Sequence, residues 1–177
     1  MVFSLAFEGK RIVKDGMSCN SPLPPTNFSC SSSSSLNEAN NQDYSCKNVF
    51  DSNKLTSWAA DSERVGAWIF IDLKNYYKLS HIILRRRFGG VGYDYKAEVK
   101  GILLQTSDGN RKKNSKLPKI EILRLPVESY LNATQTINLT VTAVFKTFTT
   151  SSEQSQIGFS EIKFCGWKAN GNVMIYV

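Results

Sequence analysis

The chain has 177 residues, of which 41% are hydrophobic and 21% charged, and its formal net charge is +7. That length supports one domain with a full core and leaves two cramped. The longest uncharged apolar run, residues 66–71 "GAWIFI", is far too short to span a bilayer as a helix, so no transmembrane segment is expected.

The positive charge is local. Residues 81–120 hold ten Lys or Arg against three Asp or Glu, and the other 137 residues hold twelve of each. A field of this kind attracts polyanions, although a solvated strand-and-loop face has the same composition.

In chain order, residues 1–18 read as an N-terminal extension or additional strand, with a strand at residues 2–7. The apolar part of residues 1–16 spans about seven residues, Glu8 follows closely and there is no charged leader, so no signal peptide is visible. Residues 19–47, rich in Ser, Asn and Pro, read as irregular loop. The four cysteines are Cys19, Cys30, Cys46 and Cys165, with no C-x-x-C among them. Two disulfides are expected rather than a zinc ribbon, and three pairings are open; a Cys30–Cys46 bridge would close a compact loop. Asn27, Asn132 and Asn138 each open an N-x-Ser/Thr acceptor tripeptide. Together with the cysteines they point towards secretion, against the alternative of four buried thiols in a cytosolic protein.

β signals begin after Cys46. In residues 66–73, "GAWIFIDL", Trp68, Phe70 and Asp72 face one way and Ala67, Ile69, Ile71 and Leu73 the other. This is expected of a strand buried on both sides for most of its length. Residues 78–88, "KLSHIILRRRF", read as a second strand, and residues 98–107, "EVKGILLQTS", as a third closed by the turn "SDGN". Residues 119–125 alternate Ile120, Ile122 and Arg124 against Lys119, Glu121 and Leu123. In residues 136–148 Ile137, Leu139, Val141, Ala143 and Phe145 share one side. Residues 157–167, "IGFSEIKFCGW", follow, and 172–177, "NVMIYV", would be the last strand or a C-terminal tail within 168–177. No helical period is sustained. Seven or eight strands joined by turns predict an all-β antiparallel sandwich.

Asp51, Asn53 and Thr56 lie at spacing i, i+2, i+5 in "NVFDSNKLTSW". A tight loop of such oxygens can wrap a hard cation, but it lacks a second carboxylate. Residues 48–84, with Asp51, Asn53, Thr56, Trp58, Trp68, Ile69, Ile71, Asp72 and Leu73, together with "GFSEIKFCG" at 158–166, resemble the discoidin domain, the coagulation factor V/VIII type C domain. That family belongs to the galactose-binding-like jelly-roll β-sandwiches. The resemblance covers about residues 28–167, within a domain running from 19 to 167. It implies a structural calcium ion held by Asn48, Asp51, Asn53 and Thr56, with Glu161, beside Ser160, as the distant carboxylate. Ser52 stands where the family commonly has Gly, and would be strained if that position needs positive φ. Trp58 and Trp68 read as core, and Trp167 as exposed.

Members of the family bind glycans, anionic phospholipid headgroups or protein partners. The local ligand candidate is His81, Arg85, Arg87, Tyr93 and Tyr95, where guanidinium forks and aromatic rings flank a glycine loop. Arg85 and Arg87 share a strand face and Arg86 takes the other. Residues 109–119, "GNRKKNSKLPK", read as a solvated basic hairpin loop that can meet heparin-like glycans or anionic lipid. With one His, no G-x-S-x-G and no phosphate loop, catalysis is not expected. Nucleic acid is disfavoured by the sequons and cysteines. The expectation is an extracellular, non-enzymatic recognition module that binds glycans in adhesion or matrix attachment, with anionic lipid or a protein partner as the alternative.

Overall fold

The structure, a computed structural model, describes residues 19, 22–36, 43–61, 65–87, 99–118, 120–127, 132–144 and 157–169. The expected strands at 2–7 and 172–177, and Tyr93, Tyr95, Lys119 and Phe145, lie outside them. The described strands are β1 (Ser29–Ser32), β2 (Trp58–Ala59), β3 (Trp68–Arg86), β4 (Val99–Thr106), β5 (Arg111–Asn114), β6 (Ile122–Pro126), β7 (Thr134–Val144) and β8 (Gly158–Lys168). Every pairing between them is antiparallel. The only described helices are the short 3₁₀ turns Pro25–Asn27 and Cys46–Phe50, and no described helix is long and apolar enough to cross a membrane.

The two segments expected as separate strands form one 19-residue strand, β3. It belongs to both layers of the sandwich. Its first part, from Trp68 to Asp72, sits between β1 and β7, with β4 and β5 beyond β7. Its second part pairs with β8 on one side and β6 on the other, with β2 at the far edge of β8. The change of layer falls at Lys74, which has φ 61 and donates its backbone N–H to Asp72 Oδ1 at 2.8 Å. No Gly or Pro marks that bend in the sequence, which is why it reads as a gap between strands.

A second irregularity decides which residues face inward. Leu79 pairs with Gly166, and two residues later His81 pairs with Cys165, so Ser80 is an extra residue. Such a bulge flips the side-chain alternation. Before it Ile69, Ile71, Leu73 and Leu79 are buried; after it Ile82, Leu84 and Arg86 are. The core lies between the layers and joins these residues to Ile102, Leu104, Ile137, Leu139 and Val141 on one side and Leu123, Leu125, Phe159, Ile162 and Phe164 on the other.

Several expectations change here. The serine-rich segment read as loop supplies β1, an edge strand of poor strand formers fixed by the Cys30–Cys46 disulfide. The second disulfide joins Cys19 to Cys165. The basic hairpin loop contains strand β5. Of residues 119–125, Leu123 and Leu125 turn inward while Ile120 and Ile122 are exposed. Trp58 is fully buried, with its indole N–H donated to Ser34 O, and Trp167 is exposed. Trp68 and Phe70, expected in a strand covered on both sides, point away from the core.

Candidate functional site

Of the expected ligand residues, His81, Arg85 and Arg87 are described, and each meets different partners. His81 is buried, with Nδ1 3.0 Å from the Ser80 hydroxyl and Nε2 without a partner. Its ring lies beside the sulfurs of the Cys19–Cys165 disulfide. Burial holds the imidazole pKa below the ordinary histidine range, and the Arg124 charge adds to this. His81 therefore faces a different environment from Arg85. Arg85 is answered by two carboxylates: Nη1 bonds Glu121, and Nε donates to Glu161 Oε2 at 3.3 Å. The Arg87 guanidinium lies 4.6 Å from the centroid of the Tyr44 ring, a cation–π contact. Arg86 is the buried arginine; its Nη2 donates to the carbonyls of Val99 and Pro118. Tyr93 and Tyr95 are not described.

The expected cation residues form a compact loop. Asp51 Oδ1 accepts the Asn53 N–H at 2.8 Å, Oδ2 accepts the Thr56 hydroxyl, and Asn53 Oδ1 accepts the Leu55 N–H at 3.1 Å. Ser52 has φ 61, the left-handed conformation that glycine adopts freely and that costs other residues about 1–2 kcal/mol. Asn48 Nδ2 donates to the carbonyls of Asp43 and Ser57. Glu161 and Ser52 line the same cleft, of about 250 Å³, with Pro25, Phe28 and Phe50. The donor set is oxygen throughout, which is the chemistry calcium prefers. The charge of Glu161, however, is already met by Arg85 and by Lys163 Nζ at 2.7 Å. The Ser160 hydroxyl is buried and donates to Arg86 O at 3.0 Å.

The open surface lies elsewhere, on the outer face of the layer containing β1, β3, β7, β4 and β5. The register sets two rows across it. One runs Ser31, Phe70, Asn138, Gln105, Arg111, and the other Trp68, Thr140, Leu103, Lys113. Phe70 is 37% exposed and Trp68 partly so. With Ser31 and Asn138 they line a shallow depression of about 250 Å³. Asn138 Oδ1 is buried there without a hydrogen-bond partner. The face combines flat aromatic surface, amide and hydroxyl groups, and two basic residues at its edge. Sequence reasoning missed it by treating large strand aromatics as core. The signal was present: Asp72 shares the face of Trp68 and Phe70, and Thr136, Asn138 and Thr140 alternate against an apolar set.

No curated protein matches this chain in sequence. Solved structures share its fold at low identity. A putative chitobiase fragment from Bacteroides thetaiotaomicron is 14% identical with a TM-score of 0.67, over 85% of this chain and 95% of that one. A family 32 module from Clostridium perfringens in complex with GalNAc-β-1,3-galactose is 14% identical with a TM-score of 0.63, over 81% and 99%. The family 32 carbohydrate-binding module of Clostridium perfringens NanJ, in complex with galactose, is 15% identical with a TM-score of 0.59, over 81% and 96%. The fold is thus the galactose-binding-like sandwich that the discoidin resemblance implied. A family model described as a domain of unknown function, DUF7402, matches residues 25–165. That match spans well over half of the chain, and the protein belongs to the DUF7402 family.

Proposed function

We propose that this protein is a non-catalytic, extracellular glycan-recognition module of discoidin type, and that it binds through the outer face around Trp68 and Phe70. The observation that carries the reading is the exposed aromatic pair beside Asn138 and Gln105 on one sheet face. An aromatic ring has a negative face that attracts the slightly positive C–H groups on the apolar side of a pyranose. Amides and hydroxyls beside it satisfy sugar hydroxyls. Neighbouring strands are about 4.8 Å apart, so the row from Phe70 to Arg111 spans about 15 Å, the reach of a short oligosaccharide. Arg111 and Lys113 favour acidic or sulfated residues at its far end.

The fold-mates with sugar bound support the class of ligand. The two disulfides support an oxidising compartment. The residues at 51–56 with Glu161 would hold calcium as a structural ion, away from this face.

A glycan array probed with the protein made in a bacterial periplasm, without attached glycans, tests the reading. Binding should fall at least about tenfold in Phe70→Ala, a factor worth about 1.4 kcal/mol. Loss of binding in Arg87→Ala with Phe70→Ala unchanged would move the site to the segment after β3. A blank array with salt-sensitive binding to anionic vesicles would replace glycan by lipid headgroup.

A further inference from the structure

Asn138 opens the tripeptide Asn138-Leu139-Thr140, and it lies in the middle of the face just described. Asn138 and Thr140 are two residues apart on β7, so both side chains point outward. In the register Asn138 stands directly opposite Phe70, and Thr140 opposite Trp68. Cβ atoms of such opposed residues are about 4.5–5.5 Å apart. A sugar ring joined to Asn138 Nδ2 thus starts beside Phe70, with Trp68 on the diagonal about 7–8 Å away, above the depression that Asn138, Phe70, Trp68 and Ser31 line. The other two acceptors differ: Asn27 lies in an exposed 3₁₀ turn and Asn132 in an exposed bend before β7.

We propose that Asn138 is an N-glycosylation site whose own glycan lies over Trp68 and Phe70 and closes the face to external glycans. The part concerning closure rests on the recognition function argued above. The modification is transfer of an oligosaccharide from a lipid diphosphate donor. The bond from sugar C1 to the diphosphate oxygen breaks, the C1–Nδ2 bond forms, the amide loses one proton, and the lipid diphosphate leaves with the bonding pair. Asn138 lies on an inner strand with its backbone paired on both sides, so transfer precedes folding. The attached sugar then becomes part of the folded surface. It covers the 37% of Phe70 that is otherwise exposed.

The test uses one sequence made in two ways. A chain with Asn27→Gln and Asn132→Gln keeps only the Asn138 acceptor, and Trp167→Phe removes the exposed tryptophan. It is produced in the secretory pathway of a eukaryotic cell and in a bacterial periplasm. Peptide mass mapping should show a glycan at Asn138 in the first product only. Acrylamide quenching, which reports Trp68 because Trp58 is fully buried, should be at least about twofold weaker in the glycosylated form. Binding to external glycans should be at least about tenfold weaker there. An unmodified Asn138, or a modified one with quenching and binding unchanged, overturns the proposal. If the bacterial product binds no glycan while the secreted one is modified and shields Trp68, the recognition function fails and the covering of the face stands.

Discussion

Among single residues, His81 shows how a cross-link packed against a side chain overrides a sequence expectation. Its neighbours Arg85 and Arg87 suggested a sugar-binding cluster. His81 pairs opposite Cys165 on the face away from Ile82 and Leu84, and is buried there against the Cys19–Cys165 disulfide, where Nε2 has no partner. A buried neutral imidazole has a consequence for stability. Its folded pKa lies below the unfolded value near 6.5, so the unfolded chain binds the proton first as pH falls. The protein should hold its stability above about pH 6.5 and lose it as pH falls from there towards the folded pKa. The slope is at most about 1.4 kcal/mol per pH unit for one proton. Urea unfolding at steps from pH 7.5 to pH 5 measures this, and His81→Gln should flatten the slope. An unchanged slope in the variant would assign it to other groups.

At the level of elements, β8 explains why its glycines are where they are. A Cβ on Gly158 would lie 2.0 Å from Trp58 O, and one on Gly166 would lie 2.2 Å from Lys78 O. Both obstacles are backbone atoms of a paired strand, which cannot swing aside. Gly166→Ala should cost about 1–3 kcal/mol as overpacking, seen as a Tm fall of about 2–12 °C by circular dichroism. Gly101→Ala should cost less, because its nearest backbone obstacle, Asn114 O, is 3.2 Å away, and only the Thr142 hydroxyl at 2.7 Å must give. Equal falls in the two variants would mean that β8 gives way as readily as a side chain. These glycines bracket the "GFSEIKFCG" stretch that carried part of the family resemblance, so that part of the fold was legible because close approach restricts the residue type. The alternation of β7 was legible for the same kind of reason, since Ile137, Leu139 and Val141 all bury. The continuity of β3 was not. Its bend rests on a non-glycine residue at positive φ and its inward face on one inserted serine, and neither has a composition signal. The open face was only half legible: the two faces of residues 66–73 separate cleanly, but the outward one depends on which layer covers it. The serines of β1 became a strand only because β3 offered an edge and Cys46 a tether.

The whole molecule is closed by cross-links that act on distant parts of the chain. Cys19–Cys165 spans 146 residues and Cys30–Cys46 spans 16. The loop-entropy model assigns them about 5 and about 3 kcal/mol. Cys19–Cys165 joins the N-terminal region to β8 and Cys30–Cys46 ties β1 to the 3₁₀ turn Cys46–Phe50, so the poorly patterned segment before β2 is held by covalent bonds rather than by its own propensities. The cleft where Glu161 of β8 meets the 51–56 loop is a third place where distant segments converge. A calcium ion there would add stability by mass action, about 2.7 kcal/mol at a hundredfold excess over its dissociation constant. For a chain of this size that is a Tm rise of about 5–10 °C, abolished in Asp51→Ala and reversed by chelator. Against it stand Arg85 and Lys163, which already neutralise Glu161, and the hydrogen bonds by which Asp51 and Thr56 close the loop unaided. The outcome of a calcium titration followed by differential scanning calorimetry separates the two. A rise shows that an ion displaces those cations from Glu161. A Tm indifferent to calcium and chelator, with no metal in the purified protein, means that two side-chain cations and a strained serine turn close the loop that the discoidin resemblance assigned to calcium.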